Sequence, residues 1–89
     1  MENYRRLTLE MDSAVRERLE SRRILIEDLQ QVIHQAETNG EALIHPDTGR
    51  LMASGRLGRV TFWVEYAPAG TDRYAVFNGY SHRMEVIRS

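Results

Sequence analysis

The sequence predicts an α+β domain in which a long N-terminal helix packs on one face of a three- to four-stranded antiparallel meander. Three observations predict it. Apolar residues recur with a helical period between Thr8 and Thr38, and after Gly40 the period falls to two, with turn residues at short intervals. The chain of 89 residues, 42% hydrophobic and 28% charged, has the composition of one folded unit spanning 1–89, without a repeat or linker.

The helix is read over 8–38. Placed ~100° apart, Met11, Val15, Leu19, Ile26, Leu29, Ile33 and Ala36 form one stripe, widened by Leu25 and Val32. Thr8 or Ser13 is positioned to cap its start, and Thr38-Asn39-Gly40 supplies the left-handed residue that ends it. Arg16 with Glu20 and Arg23 with Glu27 are i,i+4 pairs on a solvated face, whereas Arg18 and Arg22 edge the apolar stripe. A straight helix of that span would run ~45 Å, beyond the ~30 Å diameter of a compact domain this size. Either it breaks near Ser21, with Ser21 capping a second helix, or its first half protrudes towards a partner.

The remainder, 41–88, reads as antiparallel strands. Glu41 to His45 is short; Pro46-Asp47-Thr48-Gly49 is a turn, with proline presetting φ and glycine accepting a positive one. Arg50 to Arg56 follows, then a turn at Leu57-Gly58. Arg59 to Tyr66 alternates most clearly, with Val60, Phe62, Val64 and Tyr66 on one side and Thr61, Trp63 and Glu65 on the other. After a loop from Ala67 to Asp72, the last strand runs from Arg73 to Ile87 with a bulge expected at Gly79.

Several function classes fall away. No uncharged apolar run, Ile24-Leu25-Ile26 among them, comes near the ~20 residues of a membrane span, and the first residues lack an apolar signal core, which points to the cytoplasm. Without cysteine there is no disulfide, thiolate metal site or thiol nucleophile. His34, His45 and His82 lack metal-ligand spacing, so no metal and no cofactor is expected. All 12 basic residues are arginine, whose guanidinium suits carboxylates and phosphates. The charge is nevertheless spread: 1–40 carries six arginines and eight acids, and 41–89 six and five. That balance disfavours nucleic acid.

One helix layer covers one sheet face, which leaves Trp63 on the other as a candidate contact residue. The leading expectation is a small non-enzymatic accessory or protein-interaction domain, self-associating or serving as a small subunit of a larger complex. Its candidate contacts are Met11, Val15, Leu19, Arg18 and Arg22 on the first half of the helix, with Trp63, Arg56 and Arg59 on the sheet. The alternative is enzymatic. With Arg59, Tyr80, His82 and Arg83 on its later strands, the order helix then meander resembles the RelE-like and barnase-like toxin ribonucleases. The resemblance implies that these side chains steady a phosphate and act as acid or base. A third reading places a small anionic ligand among Arg56, Arg59 and His82.

Overall fold

A computed structural model describes residues 4–83. A 3-10 turn at Tyr4–Arg6 leads into β1 (Thr8–Glu10), α1 (Ser13–Ser21), α2 (Ile26–Asn39), β2 (Leu43–Ile44), β3 (Leu51–Leu57), β4 (Val60–Gly70) and β5 (Arg73–Arg83). The strands form one open sheet in the order β1-β5-β4-β3-β2. All pairings are antiparallel except that of β1 with β5. The architecture is α+β, with both helices on the same face. Among the described residues no helix is long and apolar enough to cross a membrane.

The expected α+β build holds, but its N-terminal half is divided differently. Thr8–Glu10 is a strand beside Arg73–Ala75, and helix begins only at Ser13. Asp12, rather than Thr8 or Ser13, caps it by accepting the Val15 N–H at 2.9 Å. The break comes where length demanded it. Arg23 adopts φ 58°, the Arg23 N–H donates to the Glu20 carbonyl and the Ile24 N–H to the Leu19 carbonyl at 2.9 Å. This is a Schellman closure, completed by burial of Ile24 beside Leu19. Ser21 does not cap the next helix; its hydroxyl donates to the Arg18 carbonyl. Instead Asp28 reaches back to accept the Leu25 N–H at 3.1 Å. Because the chain turns here, α1 folds back on the sheet and buries Val15 and Leu19 against it.

The core lies between the helices and the covered sheet face. From α2 come Leu29, Val32, Ile33 and Ala36, and from α1 Val15 and Leu19. They meet Ala53 on β3, Phe62, Val64 and Tyr66 on β4, and Val76 on β5. Each fully buried aliphatic side chain contributes ~1.5–3 kcal/mol by leaving water. Small residues set the closeness of approach. A Cβ at Gly79 would stand 2.7 Å from Leu19 Cδ2, and one at Gly55 would stand 3.2 Å from Val32 Cγ2.

Gly79 is therefore a packing residue and not the expected bulge. It stays in register with Val64. The bulge falls two residues earlier: Tyr66 pairs with Val76 and Glu65 with Asn78, leaving Phe77 as the extra residue. Its consequence is directional. Val76 is buried in the core while Phe77 and Asn78 both serve the uncovered face, so alternation restarts one residue out of step.

The first hairpin turn is as expected, and the second falls one residue later than Leu57-Gly58, at Gly58-Arg59. Gly49 has φ 74° and donates to the His45 carbonyl at 2.9 Å, and Gly58 has φ 65° in the two-residue link between β3 and β4. The loop read at Ala67 to Asp72 is shorter, because β4 continues to Gly70.

Candidate functional site: the open face of the sheet

Alternation from the buried Val64 and Gly79 puts Trp63 and Tyr80 on the opposite side, directly paired across β4 and β5. Among the described residues no helix or strand lies over them, and they remain 39% and 41% exposed. Ser54 flanks Trp63 on β3, and Arg56, Thr61 and His82 make the next row. On the other side the row is Leu43, Met52, Glu65 and Asn78, with Leu43 70% exposed.

This face is held by hydrogen bonds. Asn78 donates from Nδ2 to the Tyr80 hydroxyl at 2.6 Å. Its Oδ1 accepts from the guanidinium groups of Arg18 at 3.4 Å and Arg22 at 3.1 Å. Arg22 also donates to the Gly79 carbonyl at 2.7 Å and lies 5.0 Å from the centre of the Tyr80 ring. Two cations from the last turns of α1 thus converge on a neutral amide at the sheet edge, where the helix dipole favours them. The Gly79 carbonyl, left without a strand partner on that side, is satisfied by Arg22.

Arg50 spans the same face further along. It donates to Glu65 Oε1 at 2.7 Å and lies 3.8 Å above the centre of the Phe77 ring, so the bulge supplies its platform. Between Arg18 and Arg50 an open groove of about 530 Å³ runs towards β1, floored by Met11, Val15, Val76 and Phe77. Two acids line its far end, both engaged: Glu10 bridges to Arg73 at 2.9 Å and Asp12 caps α1.

The structure sorts the expected contact residues into two groups. Trp63, Arg18, Arg22 and Arg56 belong to the open face, and Met11 to its groove. Val15 and Leu19, expected as contacts for a partner, are 8% and 1% exposed in the chain's own core, because the helix break turns them onto the sheet. Of the four residues read for phosphate chemistry, Tyr80 and His82 share the open face, Arg59 sits in the β3–β4 turn and Arg83 is the last described residue of β5, paired with Val60. The described backbone divides them between the open face, a turn and the end of a strand. The anion trio of Arg56, Arg59 and His82 is likewise divided between a sheet row and a turn, with Arg56 Nε donating to the Gly58 carbonyl at 3.1 Å. Sequence reasoning missed Asn78 and Phe77 as parts of this face. Their signal was an unsatisfied pattern: Arg18 and Arg22 are like charges at i,i+4 with no acid at helical spacing to pair with.

On the covered side one polar pair stands out. The Tyr66 hydroxyl donates to Glu37 Oε2 at 2.7 Å, and the Tyr66 ring meets that of Tyr74 edge-on at 5.6 Å. Burial, reinforced by the hydrogen bond and charge of Glu37, pushes the Tyr66 phenol well above its ordinary range. Burial also raises Tyr74. Both are packed parts of the core rim and not poised acids. Among the described residues no three His, Asp or Glu side chains stand together as a metal-binding group.

The fold and this face define a small α+β domain with an arginine-flanked aromatic surface that no described helix or strand covers. No protein-family model matches the chain, and no curated protein and no solved structure is significantly similar to it.

Proposed function

We propose that this chain is a non-catalytic interaction domain that docks on a protein through the open face centred on Trp63 and Tyr80. One observation carries the reading: an exposed, cross-strand Trp63–Tyr80 pair is fixed in place by Asn78 and Arg22 on a sheet face that no described element covers. Rigid aromatic anchors ringed by arginine are the side chains that dominate protein interfaces, since they bury large area at little entropic cost. The core does not need them there.

The test uses the sole tryptophan as its reporter. The tagged chain is cross-linked in its native cells beside Trp63→Ser and a control, Leu25→Ser, which removes an exposed leucine away from the face. Captured partners are then purified as complexes. The reading expects a partner retained by the control, lost with Trp63→Ser, and able to shield Trp63 from acrylamide quenching. An unshielded Trp63 in the complex overturns it.

A second reading, a phosphate-acting ribonuclease, draws support from Tyr80 and His82 sharing this face with Arg22 and Arg56. It requires RNA cleavage by the wild-type chain that disappears in His82→Ala.

A further inference from the structure

We infer that the occupant of the open face is an acidic segment of a different protein, in which carboxylates alternate with apolar side chains. The inference rests on the docking role proposed above and names its partner's chemistry. Charge segregation carries it. Among the described residues, Arg18, Arg22, Arg50 and Arg56 lie on or lean over this face against Glu65, while Glu10 and Asp12 at the far end of the groove are engaged by Arg73 and by the start of α1, although the whole chain has 13 acids and 12 arginines. Glu65 is already held by Arg50, whereas among the described residues Arg18 and Arg22 bond a neutral amide and a backbone carbonyl and no acid. No described acid on this face compensates their charge, and an incoming carboxylate would do so with charge-assisted hydrogen bonds. Beside them the groove floored by Met11, Val15, Val76 and Phe77 takes an apolar side chain.

The same charges select against two other occupants. A second copy placed face to face would set arginines against arginines, a like-charge contact that opposes a closed two-fold dimer. A head-to-tail contact with acidic helix surface would leave both surfaces exposed at its ends and propagate. A nucleic acid needs several phosphates neutralised along a basic track, yet these cations are spread from the β5 edge to β3 and interrupted by Glu65, in a chain with net charge −1.

The decisive experiment titrates the chain with an end-capped peptide alternating Glu and Leu, its Gln-for-Glu version, and a single-stranded oligouridylate of about ten nucleotides. Emission of Trp63 reads binding. The acidic peptide is expected to bind, and to weaken about tenfold both in Arg18→Gln/Arg22→Gln and on raising salt. Arg16→Gln, on the exposed side of α1, should leave it unchanged. Equal binding of the Gln peptide, tighter binding of the oligouridylate, or a mass by sedimentation that grows with concentration while shielding Trp63 overturns the inference. Failure of the docking role reads differently. If the native partner shields Trp63 but ignores salt and the arginine variants, the docking role stands and the acidic partner falls; if Trp63 stays unshielded, the docking role itself falls.

Discussion

On the covered side of the sheet, the row Ala53, Val64 and Gly79 is small or aliphatic and lies hard against Leu19 and Leu29. One residue away along each strand, the row Ser54, Trp63 and Tyr80 is larger, more polar and exposed to solvent. The pleat guarantees the separation, since neighbouring residues point to opposite faces. The contrast teaches that at this level of the sheet size is assigned by face. The strands are thin under Leu19 and Leu29 and carry Trp63 and Tyr80 on the face that no described helix or strand covers, whereas Phe62 and Tyr66, on the neighbouring inward rows of β4, put their rings into the core. Substitutions at adjacent positions should therefore differ sharply in consequence.

The largest difference is expected between Gly79 and Tyr80. Gly79→Val forces side-chain atoms onto the buried Leu19, which has no exposed space into which to move. Overpacking of this kind costs about 3 kcal/mol, and in a domain this size that lowers Tm by more than ~10 °C. Tyr80→Ser should cost no more than about 1 kcal/mol, the scale of an exposed ring with one hydrogen bond and one cation–π contact. Thermal unfolding of the two variants checks the pair; equal losses would break the comparison.

Trp63→Ser is the next test. Half-exposed and away from the helices, it should cost about 1 kcal/mol of stability while abolishing partner capture. A collapse of the fold instead would make Trp63 a core residue.

Tyr66 offers a third test, from the covered side. Its folded pKa is raised by burial and by Glu37, so below pH ~10 both states are protonated and its contribution to stability is complete. As pH rises beyond that, the unfolded chain releases a proton that the fold retains, and stability falls. Denaturant unfolding between pH 8 and 11 should show that decline. Tyr66→Phe should lower stability by about 1 kcal/mol at neutral pH, by deleting the bond to Glu37. It should also make the alkaline limb shallower. Tyr74, raised in the same direction, keeps it from becoming flat.

Much of this fold was legible in the sequence because it is written in periodicity. The apolar spacing of Leu29, Val32, Ile33 and Ala36 gives α2, and the alternation from Val60 to Tyr66 gives β4 and with it the outward Trp63. β1 was illegible for a physical reason. Thr8-Leu9-Glu10 is too short for alternation to differ from a helical turn, and its partner Arg73–Ala75 is remote in sequence. Gly79 misled because glycine in a strand serves either a bulge or a close approach, and only the helices decide which. The arginine edge of the open face depends on α1 folding back, so no local pattern discloses its hydrogen bonds to Asn78.

The smallest effect concerns that fold-back. The two helices end by the same left-handed closure, but α2 uses Gly40 at φ 67° and α1 uses Arg23 at φ 58°. A side chain in that conformation costs roughly 1 kcal/mol that glycine avoids, and part of the gain returns as extra freedom in the unfolded chain. Arg23→Gly should therefore raise stability by about 0.5 kcal/mol. Arg22, one residue earlier, holds the Gly79 carbonyl and Tyr80, and its backbone conformation is not the left-handed one. The exchange at Arg23 should leave the emission of Trp63 and its response to the acidic peptide as they are in the wild type. A more stable variant with an unchanged face would separate what closes the helix from what the sheet presents; a loss of peptide response would mean that the charge of Arg23 also belongs to the open face.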